Sequence, residues 1–93
     1  MKIIAVKYTY NPKKSDLLSE HRPAHREFLR SLFETGTLLA SGPLGDNEAL
    51  IIVRAENPSL GIALLDDDPL QQKEVILERE AKVWNPVIGP WAE

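Results

Sequence analysis

Apolar and polar positions alternate through the first ten residues: Ile4, Val6, Tyr8 and Tyr10 fall on one side of an extended chain, and Ile3, Ala5, Lys7 and Thr9 on the other. A period of two in β-branched and aromatic residue types predicts a strand over 2–10, broken by Asn11-Pro12. From Ser15 to Thr35 the period lengthens to that of a helix, and Gly36 supplies the stop. Pro23 lies inside this span and has no N–H to donate, which predicts a short first helix or turn, with the main helix restarting at Pro23 in its first position. Thr37 to Ala40 reads as a second strand running into Ser41-Gly42-Pro43, with a turn at Gly45-Asp46-Asn47. Ala49 to Ala55 is a third strand, apolar except for Arg54. Asn57-Pro58-Ser59 opens a second helix covering Ser59 to Leu65, which Asp66-Asp67-Asp68-Pro69 ends before a further short turn. Val75 to Trp84 is the last strand, closed by Asn85-Pro86; residues 87–93 read as a tail whose Trp91 needs a surface to lie on.

The order is therefore β-α-β-β-α-β: an α+β, ferredoxin-like arrangement in which a four-stranded antiparallel sheet carries its helices on one face. In the third strand, Ala49, Ile51 and Val53 point one way while Leu50 and Ile52 point the other. A sheet wetted on one side should alternate cleanly. The second apolar face needs a cover that this chain has no further helix to provide, and the sheet of a second copy is the simplest one, so the pattern predicts a sheet-to-sheet homodimer.

Length and composition narrow the picture. Ninety-three residues make one domain, 1–93, and the balance of 43% hydrophobic and 27% charged residues is that of a folded chain rather than a disordered one. With no cysteine, disulfides and thiolate metal sites are excluded, which fits a reducing, cytoplasmic setting. The net charge is −3 and the basic residues are scattered, so no concentrated face for a phosphate backbone is available and nucleic acid is not an expected partner. The apolar start, MKIIAVKYTY, is interrupted by Lys7 and is too short for a membrane span or a signal-peptide core.

Three constellations could carry chemistry. His25 shares a helical stripe with Phe28, Leu29 and Leu32, and His21 lies one turn earlier on the same side. A partly desolvated imidazole there could serve as a base or acceptor, or be a satisfied structural histidine. The two histidines, four residues apart, lack a nearby third ligand, and no metal is expected. In Asp66-Asp67-Asp68-Pro69, Asp68 makes an ordinary helix cap before Pro69 and the adjacent carboxylates should face water; alternatively, one of them orients His25 as a carboxylate does in an acid–base pair. Ser41-Gly42-Pro43 is either a plain strand-ending turn or a set of donors for a ligand oxygen. Arg22, Arg26 and Arg30 follow helical spacing and read as a solvated face, and Trp84 and Trp91 as core or interface anchors. No glycine-rich phosphate loop is present.

Taken in order, Arg22-Pro23-Ala24-His25, Gly36-Thr37-Leu38-Leu39-Ala40-Ser41-Gly42-Pro43 and Asp66-Asp67-Asp68-Pro69 resemble the YciI-like (YCII-related) family over roughly residues 2–86. The resemblance implies a ferredoxin-like fold and a dimer related to the dimeric α+β barrels. It also implies a histidine and an aspartate in a pocket of the sheet, and cofactor-independent chemistry on small molecules of the dehydrochlorinase or lactone-isomerase type. Carried over, the histidine falls on His25 and the aspartate on Asp68, with Asp66 as the fallback; Ser41, Gly42, Pro43 and Arg22 would line the same pocket around a small-molecule ligand. The chain departs from the family in having Leu70 where an aromatic usually follows the Asp-Pro, and in a short tract between Pro43 and Ala49. Both point to a differently shaped pocket.

Overall fold

The computed structural model describes residues 1–92. Its strands are β1 (Lys2–Tyr10), β2 (Leu38–Leu44), β3 (Glu48–Ala55) and β4 (Ile76–Val83); its helices are α1 (Ser15–Glu34), α2 (Pro58–Ala63) and α3 (Pro69–Gln72). The strands form one antiparallel sheet in the order β2-β3-β1-β4, the ferredoxin-like arrangement. Ile4, Val6 and Tyr8 of β1 and Ile51 and Val53 of β3 are fully buried on the helix-covered face, where Leu18 and Leu29 of α1, together with Leu65, Leu70 and Val75, complete the core.

The helix boundaries follow from local chemistry. At the end of α1, Gly36 takes φ +81°, its N–H donates to the Phe33 carbonyl, and the Thr37 N–H donates back to Leu32. This pair of bonds closes a helix through a left-handed residue, a conformation that glycine adopts without steric cost. Asn57 caps α2 by accepting the Leu60 N–H at 2.9 Å. That short helix crosses β1 closely at Gly61, where a Cβ would stand 2.9 Å from Ile4 Cγ2.

Two expectations are corrected. The helix does not restart at Pro23: α1 runs unbroken from Ser15 to Glu34 with Pro23 inside it. Pro23 faces solvent, so the carbonyl it leaves unpaired is free to bond water, while Leu18, His25 and Leu29 hold the helix to the core on both sides of it. Likewise Ser41-Gly42-Pro43 does not end the second strand; β2 continues to Leu44, pairing Ser41 with Ile51 and Pro43 with Ala49. Proline is tolerated there because β2 is an edge strand and its missing N–H costs the sheet no ladder bond on the open side.

On the outer face, Ala5, Leu50, Ile52, Ala40 and Leu44 form an apolar area across β1, β3 and β2, according to the strand register. Toward β4 the same face turns charged, with Lys7 bridging Glu48 at 3.3 Å and Glu80 at 3.7 Å. Trp91 finds its surface on Trp84, edge to face with centroids 6.0 Å apart, while Val87 and Ile88 between them are exposed; Glu93, the last residue of the expected tail, lies outside the described residues.

Candidate active site

His25 projects from the buried stripe of α1, and Asp68 sits at the mouth of α3, 43 residues further along. The two meet because α1 and α3 pack together over the end of β1. Asp68 serves as the N-cap of α3, its Oδ1 accepting the Leu70 N–H at 3.0 Å. The capping carboxylate is also sealed from solvent, at 0% exposure, and its remaining capacity is taken up from two sides. His25 Nδ1 lies 2.8 Å from Oδ2 and 3.0 Å from Oδ1, and the Tyr8 hydroxyl donates to Oδ2 at 2.9 Å. The cap and the histidine partner, alternatives at the level of the sequence, are therefore one residue. Of the run, Asp66 and Asp67 face water as expected, while Asp68 is buried and satisfies three donors at once.

The ring faces two ways. With Nδ1 on the carboxylate, the neutral imidazole holds its proton on that nitrogen, leaving the Nε2 lone pair free. Among the described residues Nε2 has no protein partner, yet no buried side-chain nitrogen or oxygen is left unsatisfied, so Nε2 is reached from outside. It opens onto a cleft of about 640 Å³ between α1 and the β2–β3 end of the sheet, bordered by His25, Leu29, Arg22, Tyr10, Ser41 and Ile51 among others. That volume is in the range that takes a small organic molecule.

Two tyrosines are parts of the site that the sequence reading missed. Tyr8 is fully buried, and burial, reinforced by the charge and hydrogen bond of Asp68, pushes its hydroxyl far above the ordinary phenol range; it remains a proton donor to the carboxylate. Tyr10 borders the cleft, and burial followed by the Asp68 charge pushes it up to about 12, with the Arg22 guanidinium opposing. The signal that could have found them is the alternation itself, which puts both on the apolar side of β1, where a buried phenol requires a polar partner.

The remaining candidates divide cleanly. Asp66 is exposed and pairs with Arg79 at 2.9 Å, so the fallback partner for His25 is corrected: it is turned away on the surface. His21 lies 3.7 Å from Glu20, and among the described residues no cluster of three or more potential metal ligands occurs. Ser41, Gly42 and Pro43 border the cleft opposite α1, Ser41 from the helix-facing side of β2. Arg22 borders it too, as do Arg26 and Arg30, whose side chains stay exposed on the solvated face that their spacing predicts.

A family model described as the YCII-related domain matches residues 1–85. The chain belongs to that family. No protein among curated sequences matches this YCII-related chain. Among solved structures it resembles 5-chloro-2-hydroxyhydroquinone dehydrochlorinase (TftG) from Burkholderia phenoliruptrix AC1100, in complex with 2,5-dihydroxybenzoquinone. The TM-score is 0.77 at 16% sequence identity, covering 98% of this chain and 99% of that one. At that identity the likeness is one of fold. No helix among the described residues of this YCII-related chain is long and apolar enough to cross a membrane.

Proposed function

We propose that this YCII-related chain is a cofactor-independent enzyme that moves protons on a small cyclic or ring-derived metabolite, with His25 as general acid–base and Asp68 as its orienting carboxylate. The observation that carries this reading is the His25 imidazole, fixed by a sealed carboxylate at 2.8 Å on one nitrogen and open to a cleft on the other. A general base needs a free lone pair within reach of substrate and a fixed orientation; this arrangement supplies both. In an elimination, Nε2 takes a proton from carbon, the C–H electron pair becomes the new double bond, and the leaving halide departs with the bonding pair it shared. In an isomerisation, the same nitrogen returns the proton at a second carbon. Ser41 and the strand around Gly42 and Pro43 form the wall opposite α1, and Arg22 borders the same cleft as the imidazole. The dehydrochlorinase activity of the structural neighbour, on a fold shared over nearly the whole chain, supports the reaction class.

The test is turnover of a panel of chlorinated hydroquinones and small lactones, followed by chloride release and proton NMR. Wild type is expected to turn over at least one member, and His25→Gln to lower kcat by about 10²–10⁴-fold with an unchanged circular dichroism spectrum. Equal rates in the variant would remove His25 from the chemistry. Binding without turnover by wild type would make the chain a ligand-holding module instead.

The assembly proposed with it is a cytoplasmic homodimer formed through the outer sheet face, where Ala40, Leu44 and the half-buried Leu50 share an apolar area with the already buried Ile52. Sedimentation velocity is expected to give twice the chain mass for wild type and a monomer for Leu50→Glu; a wild-type monomer at micromolar concentration would overturn the dimer.

A further inference from the structure

Three arginines border one wall of the cleft, and the proton chemistry of His25 has no use for the outer two. Arg22, Arg26 and Arg30 recur every fourth residue along α1, each about 6 Å of helix rise from the next. Like charges at that spacing disfavour a helix, and the usual remedy is an acid three or four residues away. Glu27 and Glu34 stand at those distances from Arg30, yet among the described residues none of the three arginines forms an ion pair. The acids that share the cleft border are Asp46 and Glu48, and the Glu48 carboxylate is already engaged with Lys7 at 3.3 Å. Positive charge is thus left in excess along the wall that carries the imidazole.

Between and beside these guanidinium groups the cleft is apolar, bordered by Leu29, Phe33, Leu38 and Ile51. We propose that Arg26 and Arg30, together with Arg22, hold the anionic group of a small planar organic acid, a ring carboxylate or an ionised phenol, and so set its reacting carbon at His25 Nε2. Guanidinium is suited to this task, because it pairs with a carboxylate through two parallel N–H donors and lies flat against a ring. Arg30 is five residues, about 7.5 Å of rise, beyond His25, a span bridged by one substituted six-membered ring. The Tyr10 hydroxyl, which keeps its proton at neutral pH, and Ser41 border the same cleft and supply neutral donors for further oxygens on the ring. This assignment of substrate class rests on the acid–base reading of His25, but binding can be measured apart from turnover.

The experiment is a two-dimensional amide NMR titration of the full chain with benzoate, benzamide and inorganic phosphate as probes. Benzoate is expected to shift the amides of Leu29, Phe33 and Ser41 and to bind about tenfold more tightly than benzamide, an advantage that shrinks as salt is added. The double variant Arg26→Ala/Arg30→Ala, altered only at exposed positions, is expected to lose about tenfold in benzoate affinity, whereas His25→Gln stays within about twofold of wild type. The proposal is overturned if benzamide matches benzoate, if the double variant keeps its benzoate affinity, or if phosphate binds as tightly as benzoate, since a planar acid would then not be what the row selects. A His25→Gln variant that binds benzoate normally but shows wild-type turnover would sink the catalytic reading while leaving the anion site standing.

Discussion

Asp68→Asn is the substitution that asks most of the site, because it keeps the shape of the side chain and changes only what its atoms can do. The carboxylate accepts from three donors: the Leu70 N–H, the Tyr8 hydroxyl and His25 Nδ1. An asparagine has one oxygen and one NH₂ to share among them. The backbone N–H of Leu70 cannot turn round, so the amide oxygen must stay with it and the NH₂ must face Tyr8 and His25. The Tyr8 hydroxyl can rotate to accept. Imidazole can accept on Nδ1 only by moving its own proton to Nε2, the nitrogen that opens on the cleft. Substitution therefore converts the outward nitrogen from a base into a donor, and kcat should fall by about 10²–10⁴-fold. The loss of charge-assisted bonds should lower stability by about 1.5–3 kcal/mol. Asp68→Ala, which leaves buried donors with no acceptor, should cost about 3–5 kcal/mol, a large share of what a domain this size possesses. The direct assay is nitrogen-15 NMR of the imidazole, at a pH where the ring is neutral, which reports the site of the proton. Wild type should carry it on Nδ1 and Asp68→Asn on Nε2. A wild-type ring protonated on Nε2, or a tautomer indifferent to the substitution, would refute the reasoning.

Three further outcomes follow from the same geometry. Asp66→Asn removes an exposed pair with Arg79 and should change stability by less than about 1 kcal/mol and leave the His25 tautomer untouched, as the same NMR experiment would register. Gly61→Ala gains helix propensity, but its Cβ meets the stiff, fully buried Ile4 at 2.9 Å, so thermal or urea unfolding should show a net loss of about 1–3 kcal/mol. Tyr8 and Tyr10 both have hydroxyls raised above the ordinary value of 10.0, so between pH 10 and about 12 the folded chain holds protons that the unfolded chain has released. Stability present below pH 10 should be lost on going up through that window, by as much as about 1.4 kcal/mol per pH unit for each tyrosine, and Tyr8→Phe should roughly halve the slope in alkaline unfolding.

Much of this was legible along the chain, for identifiable reasons. Alternation in β1, the apolar run of β3, the Gly36 stop and the Asn57-Pro58 start are local signals, and each element they announce is present. Pro23 misled because its cost is local while the packing of Leu18, His25 and Leu29 that outweighs it comes from the folded whole. Ser41-Gly42-Pro43 looked like a turn because nothing in three residues reveals that their strand will lie at a sheet edge. At Asp68 two local readings competed, and only the docking of α3 on α1 shows that one carboxylate satisfies both. Nothing local links Tyr8 to Asp68, 60 residues away, and the spacing of Arg26 and Arg30 describes an ordinary wet face whether or not a cleft lies beside it.

The burial of Asp68 behind His25 divides the chain into positions with different freedom to vary. The carboxylate is rooted by a backbone N–H and by a tyrosine of the central strand, so the His25–Asp68 end of the cleft can drift only if the core does. Everything that would choose a ligand (the arginine row, Ser41 and the short tract after Pro43) stands at the rim, where substitution costs the fold little. Selection acting on such a molecule can exchange one ligand for another at the rim while the His25–Asp68 root is inherited unchanged, and two descendants with this root need share no ligand at all.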